Sequence, residues 1–254
     1  MRKIKLEVKN IKKSFENNPV IDDVTLYLSE GEFVSILGLS GSGKSTIFNI
    51  ISGLLLPDEG EVIIDGENCT GQTGGVSYMY QKDLLLPWKN IIDNVSLPLV
   101  IKGVSKKRAR EEVKGYFKTF ELEGFEYNYP FQLSGGMRQR AALLRTYMFS
   151  KDIMLLDEPF ASLDAITRWK MQCWLVNVLK DLKTSTLFIT HDIDEAVFLS
   201  DRIYVLTERP ARIKEEVMVD IPKPRDRTIT TTQEFNSIKK HLLELMAGTG
   251  TEMA

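Results

Sequence analysis

One stretch limits what this chain can fold into more than any other: Gly38-Leu39-Ser40-Gly41-Ser42-Gly43-Lys44-Ser45-Thr46. It follows an apolar run, Phe33-Val34-Ser35-Ile36-Leu37, which predicts a buried strand. It precedes Ile47-Phe48-Asn49-Ile50-Ile51, which predicts the start of a helix. Strand, glycine-rich loop and helix form the setting in which G-x-x-x-x-G-K-[ST] holds a phosphate chain. Glycines let the backbone curl until several N–H groups face one phosphate. The helix N-terminus adds partial positive charge. In such a loop Lys44 would reach the β- and γ-phosphates and the Ser45 hydroxyl would ligate Mg2+.

A phosphate loop calls for acids elsewhere in the chain. Asp152-Ile153-Met154-Leu155-Leu156-Asp157-Glu158-Pro159 reads as a buried strand ending in two carboxylates. Asp157 is placed to hold Mg2+ through its water shell, and Glu158 to face an attacking water. Ser185-Thr186-Leu187-Phe188-Ile189-Thr190-His191-Asp192 is a similar strand ending in a histidine that could meet a phosphate oxygen. In α/β proteins ligands gather at the C-terminal ends of strands, so these two strand ends and the loop belong together.

Ser134-Gly135-Gly136 opens a helix predicted to run to about Phe149. A serine and free backbone N–H groups at a helix start form either a second anion site or an ordinary N-cap. Phe15, upstream of the phosphate loop, is either an adenine-stacking ring or a hairpin core residue. Asp83-Leu84-Leu85-Leu86-Pro87-Trp88 is either core or a patch that a partner covers.

The remaining segments fill in an α/β pattern. Residues 4–9 and 20–28 alternate as antiparallel strands, with a turn at Asn17-Asn18-Pro19. Gly60–Gly66 and Gly74–Gln81 read as further strands. Residues 91–150 read as helical: a segment from Ile91 to Leu97 limited by Pro98, a charged helix over 104–120, and the helix after Ser134. A helix is expected from about Ala165 to Leu182, a closing hairpin over 201–207 and 212–221, and an amphipathic helix within 230–246. Residues 248–254 are expected to fray.

With 43% hydrophobic and 27% charged residues, composition fits an ordinary soluble protein, and no apolar run reaches membrane-spanning length. The N-terminus lacks a signal-peptide core, so a cytoplasmic location is expected. A net charge of −2 gives no reason to expect nucleic-acid binding. Cys69 and Cys173 are far apart with no ligand spacing around them, which disfavours a disulfide or a metal site.

Taken in order, the segments resemble the ATP-binding-cassette ATPase family over nearly the whole chain. Six motifs carry the resemblance: the phosphate loop, a glutamine loop at Gln81, the signature Leu133-Ser134-Gly135-Gly136-Met137-Arg138-Gln139, the strand ending in Asp157 and Glu158, the Ser162-Leu163-Asp164 loop, and His191. The resemblance implies an α/β fold with a phosphate-loop NTPase core on a mainly parallel sheet, an N-terminal antiparallel β subdomain and an inserted α-helical subdomain at about 90–150. It implies one ATPase domain over 1–227, followed by a short C-terminal helix and tail. It implies ATP and Mg2+ as ligands, with Ser45, Gln81 and Asp157 at the metal. Two copies would sandwich ATP head to tail. Ser134, Gly135, Gly136 and Gln139 of one copy would act on the nucleotide of the other, and Asp164 would communicate across the dimer. Glu158, His191 and Lys44 would carry hydrolysis. The family's place for an aromatic raises the stacking reading of Phe15.

The resemblance also implies separate membrane permease subunits touching Gln81–Trp88 and, beyond them, an extracytoplasmic solute-binding protein. The cassette would then lie on the cytoplasmic face of the membrane. Leu84–Trp88, Asp93-Asn94-Val95 and Arg209-Pro210-Ala211-Arg212-Ile213 are similar to importers of nitrate, sulfonates, taurine and thiamine precursors. The alternative is a soluble cassette switch unconnected with transport.

Overall fold

The computed structural model describes residues 2–150 and 152–248. At its centre is β3 (Phe33–Leu37), buried at every position. β3 lies between β8 (Ser185–Thr190) and β9 (Arg202–Leu206) and runs parallel to both. The full order of this six-stranded sheet is β10-β9-β3-β8-β7-β6. β7 (Ile153–Asp157) and β6 (Ser77–Met79) continue it in parallel, and β10 (Ile213–Met218) closes the other edge antiparallel to β9. A strand buried on both faces is mostly apolar, and β3, β7, β8 and β9 are all buried end to end.

A second sheet, antiparallel, has the order β2-β1-β4-β5. β1 (Ile4–Phe15) and β2 (Asn18–Ser29) form a long hairpin. The turn falls at Glu16-Asn17, both at positive φ (48° and 72°), one residue before the position expected from the sequence. Two left-handed residues match the twist of a hairpin, so Pro19 is left inside β2. β4 (Glu59–Ile64) and β5 (Glu67–Asn68) complete the sheet.

Two apolar layers result. Val34, Ile36, Ile153, Leu155, Leu187 and Ile189 face one way and pack with Leu6, Val8, Val24 and Leu26 of the second sheet. α1 (Lys44–Ile51) belongs to this layer through Ile47, Phe48, Ile50 and Ile51. Phe33, Leu37, Met154, Leu156 and Phe188 face the other way, against helices. The split follows the two-residue period of a strand. Buried Arg202 ties the two sheets together. Its Nε and Nη2 donate to Glu32 at 2.9 and 3.0 Å, Nη2 also reaches Tyr27 O at 2.9 Å, and Nη1 reaches the Tyr204 hydroxyl at 2.6 Å.

The helical insert contains α2 (Ile91–Ile101), α3 (Lys106–Phe117) and α4 (Gly135–Phe149). Pro98 does not end α2 as expected; the helix runs through it to Ile101. Burial of Ile91, Ile92, Val95 and Leu99 on both sides of the proline outweighs the one hydrogen bond it removes. α5 spans Ala165–Leu182, with Met171, Trp174, Leu175, Val178 and Leu179 buried and Trp169 packed on Phe198 at 4.5 Å. A short helix not foreseen, α6 (Ile193–Leu199), follows His191. Its last residues are apolar without a gap, so no helical period marked it. α7 (Gln233–Ala247) buries Phe235 and Leu242 in the helix-side layer. The expectation for 249–254 lies outside the described residues. Cys69 and Cys173 are free, and among the described residues no cluster of metal-binding side chains occurs.

Candidate nucleotide site

The phosphate loop joins β3 to α1, as the sequence requires. Gly43 precedes α1 at φ +106°, and no side chain caps the helix there. Any Cβ at Gly43 would lie 3.2 Å from both the Cγ1 and the O of Val20. The residue must therefore be glycine for two reasons, the backbone angle and the close approach of β2. Its uncapped position leaves the first N–H groups of α1 open to an anion. Lys44 is 5% exposed and donates from Nζ to the carbonyls of Gly38 (2.9 Å) and Leu39 (2.8 Å). Burial holds its ammonium below the usual lysine range, while the charges of Glu158 and Asp157 act in the opposite sense. The Ser42 hydroxyl is buried with no hydrogen-bond partner, a polar atom that an anion in the loop would satisfy.

Asp157 ends β7 beside this loop. The Ser45 hydroxyl and the Tyr78 hydroxyl, the latter at 3.2 Å, both bond to its carboxylate. Burial raises its pKa above the ordinary value, and these two bonds oppose the shift. Glu158 diverges from it. Its backbone takes φ +42°, unusual for a residue with a side chain, and its N–H bonds to Ile189 O at 3.1 Å. This conformation turns the carboxylate toward His191, whose Nδ1 lies 3.1 Å from Glu158 Oε1. Residues from the ends of β3, β7 and β8 thus converge, as expected for Lys44, Ser45, Asp157, Glu158 and His191.

The other residues singled out in the sequence are placed as follows. Phe15 is 45% exposed at the tip of the β1–β2 hairpin, with the Lys13 ammonium 5.6 Å from its ring centre. The same hairpin presents Val20 to Gly43, and Val20 and Asp22 pair with Ala211 by backbone hydrogen bonds of 2.9 Å. Leu39, Ser40, Gly41 and Ser42 share a small cleft with Glu208 and Arg209. Thr46 is half-buried, and Gln81 is exposed just beyond β6.

Ser134 caps α4, its Oγ accepting from Met137 N at 3.3 Å. Added Cβ atoms at Gly135 and Gly136 would come within 3.3 Å of Leu163 and Thr167, so these glycines pack on the start of α5. Asp164 caps α5 through Ile166 N and Thr167 N at 3.1 and 3.0 Å, and a bond from the Thr167 side chain, with these backbone bonds, holds its pKa below the usual range. The signature and the Asp164 loop therefore form one surface. Gln139 departs from its expected place in that surface. It is 4% exposed and its Oε1 is buried without a partner, so it faces the interior of the helical layer.

The four apolar residues after Gln81 divide. Leu85 is buried and Leu86 half-buried, whereas Leu84 and Trp88 are 52% and 71% exposed. Arg145 of α4 donates to the carbonyls of Leu84 (2.7 Å) and Asp83 (2.6 Å). Asn94 of α2 accepts from Leu86 N at 2.6 Å. Arg138 of α4 pairs with Asp83 at 3.4 Å, joining the signature helix to the glutamine loop. Leu84 and Tyr80 line a groove of about 450 Å3 between the sheet and α2, with Leu54, Leu97 and Ile101 on its other walls.

Sequence reasoning did not place Tyr78, Glu208, Arg209 or Glu195 near the site, although Arg209 lay in a run noted for its resemblance to importers. Tyr78 had a weak signal, an aromatic in the strand leading to Gln81. The other three had none that spacing could supply.

A protein-family model described as ABC transporter matches residues 21–161. The chain belongs to that family. As a member it is an ATP-binding ATPase cassette of transport systems. It is 45% identical over 232 residues to the formylaminopyrimidine import ATP-binding protein ThiZ of Halalkalibacterium halodurans, covering 91% of each chain. It is 39% identical over 225 residues to the aliphatic sulfonates import ATP-binding protein SsuB of Bacillus cereus, covering 89% of this chain and 87% of the relative. Among solved structures, the dimeric MJ0796, a bacterial ABC transporter cassette, matches with a TM-score of 0.72 at 32% identity, over 85% of this chain and all of the other. The same cassette in a post-hydrolysis state bound to ADP and Pi matches with a TM-score of 0.70. Among the described residues no helix is long and apolar enough to cross a membrane.

Proposed function

We propose that this cassette powers import of a small solute through separate membrane subunits, with the solute a sulfonate, taurine or nitrate, or a thiamine precursor. The observation that carries the catalytic part is the Glu158–His191 pair at 3.1 Å beside the Asp157–Ser45 bond and Lys44. Glu158 takes a proton from the attacking water. His191 holds that carboxylate in place. Lys44 turns from the loop carbonyls to the β- and γ-phosphates, where its charge offsets what builds up in transfer. Gly38–Thr46 cradle the phosphate chain and Phe15 stacks on adenine.

Ser45 and Asp157 suit Mg2+: a hydroxyl and a buried carboxylate, already bonded to each other, are hard oxygen donors that share the ion with phosphate. Gln81 is proposed as the further ligand. When bound, the ion would offset the negative charge of the phosphates.

A second copy completes the site, with Ser134–Gly136 meeting its partner's nucleotide. The dimeric form of MJ0796 supports this arrangement. The surface shared by Gly135, Gly136 and the Asp164 loop would then lie in the interface. The groove beside Gln81, lined by Leu84 at 52% exposure, together with Trp88 farther along the same loop at 71%, is proposed to receive a permease segment on the cytoplasmic face of the membrane. A solute-binding protein outside the membrane would deliver the cargo. The relatives named for import of formylaminopyrimidine and aliphatic sulfonates support the importer reading. We place the cassette proper at 1–227, with 90–150 as its helical insert and 228–254 as a C-terminal addition.

Glu158→Gln should keep ATP binding and lower kcat by about 10²–10⁴-fold, the range for loss of a general base. Wild-type turnover in that variant removes Glu158 from its role. The chain should be isolated from native membranes with its partners and its ATPase measured with nitrate, sulfonates, taurine and thiamine precursors. Stimulation by one of them names the cargo, and isolation without any membrane protein overturns the importer reading.

A further inference from the structure

His191 is 57% exposed, so packing alone does not set its position. A ring of hydrogen bonds behind it does. Buried Thr190 accepts at Oγ1 from Asp192 N–H at 3.0 Å and donates to Glu195 Oε2. The Glu195 N–H donates to Asp192 Oδ1 at 3.1 Å. These bonds close over the two peptide units that flank His191. From the other side, Gln172 Nε2 of α5 donates to Glu195 Oε1 at 2.9 Å. The helix that supplies Gln172 is the one that starts at Asp164. A single carboxylate therefore joins the strand end that delivers His191 to the helix that begins at the signature surface.

The chemistry at this point is costly for a residue with only a packing role. Glu195 is 7% exposed, and both of its bonded donors are neutral. Nearby Arg168 gives its Nη2 to Leu163 O at 2.9 Å. A buried carboxylate without an ion pair costs stability, and a neutral residue of the same shape would fill the space more cheaply. Such departures are kept where activity needs them.

We propose that Glu195 is a positioning residue for ATP hydrolysis: it fixes His191 against Glu158 and makes that pair respond to displacement of α5. The proposal rests on the assignment of His191 and Glu158 to hydrolysis. When the Asp164 end of α5 is held by a second copy, Gln172 holds Glu195. Thr190 and Asp192 then hold the His191 backbone. A contact at the interface is in this way felt at the catalytic pair.

The test is ATPase kinetics, nucleotide affinity and thermal melting of the purified full chain. Glu195→Gln leaves one acceptor oxygen where the carboxylate offered two, so Thr190 Oγ1 and Gln172 Nε2 can no longer both donate to it. Adding Gln172→Glu to it restores a donor and an acceptor at that contact. Glu195→Gln should lower kcat about tenfold with KM for ATP within about twofold and no loss of thermal stability, because it displaces a catalytic group without touching substrate. The double variant should return kcat to within about threefold of wild type, the coupling expected of two residues in direct contact. Wild-type kcat in Glu195→Gln overturns the proposal. So does a double variant that melts like wild type yet stays as slow as the single one. Should Glu195→Gln fail to fold, Gln172→Ala decides the matter: reduced kcat at unchanged KM supports the link to α5, and unchanged kcat overturns it. Wild-type turnover in His191→Ala would instead remove the underlying assignment of the histidine.

Discussion

The buried carboxylate makes a prediction about stability that does not depend on catalysis. Burial pushes the Glu195 carboxyl up to about 6 from its ordinary 4.5, with the negative charge of Asp192 adding to the effect. The bonds from Thr190 and Gln172 and the charge of Arg168 act in the opposite sense. Asp194, which also lines the cleft beside it, is paired with Lys239 at 2.7 Å. Between pH 4.5 and about 6 the folded chain holds a proton that the unfolded chain has released. Stability therefore falls as pH rises through that window, and stays lower above it. The difference between 4.5 and about 6, at about 1.4 kcal/mol per pH unit, comes to about 2 kcal/mol. Glu195→Gln has no proton to exchange. Its stability relative to wild type should improve by about 2 kcal/mol between about pH 4 and pH 7, or about 4–8 °C in Tm for a chain of this size. Other carboxyls, including Asp157, titrate in both proteins and cancel in the comparison. Urea unfolding and melting curves across that range measure the difference. A difference that stays flat, or that moves in favour of wild type as pH rises, refutes the account of Glu195 as an unpaired buried carboxylate.

Two further outcomes test the scaffold and the groove. Arg202→Ala strands buried Glu32 and should cost about 3–5 kcal/mol in urea unfolding, because a buried charge loses its partner; Arg202→Met with Glu32→Gln should recover most of that. Trp88→Ala and Leu84→Ser should leave Tm within about 2 °C, since exposed side chains contribute little to folding, yet reduce recovery of membrane subunits with the cassette; full recovery in both variants removes the groove as the docking site.

Much of the fold was legible because its signals are local. Strand β3, the phosphate loop and helix α1 were marked by an apolar run, a glycine pattern and a lysine within about fifteen residues. The expected bounds of α5, Ala165 to Leu182, are those observed, and the Asp164 side chain caps its start. Local reasoning failed where burial overrode it. Pro98 predicted a helix end, yet α2 is held by apolar contacts on both sides of the proline. Gln139 was expected to act with Ser134 as part of the signature, yet the turn of α4 carries it to the inner face. The run 84–88 gave no reason to divide Leu84 from Leu85. Arg145 and Asn94 make that division from two other helices.

By itself, the sequence determined which chemistry this chain can perform. A phosphate-binding turn, a carboxylate pair at one strand end and a histidine at another are properties of short segments, and each is set by backbone angles and side-chain type. Only the tertiary structure decided which of these groups meet. Glu158 reaches His191 because β7 and β8 are adjacent and parallel, and because Glu158 adopts a positive φ. Glu195 reaches Gln172 because α6 packs beside α5, and Arg202 reaches Glu32 because β9 lies next to β3. Such contacts join residues far apart along the chain. The order of strands and the packing of helices set them, and those depend on how the whole apolar surface is buried rather than on any one segment.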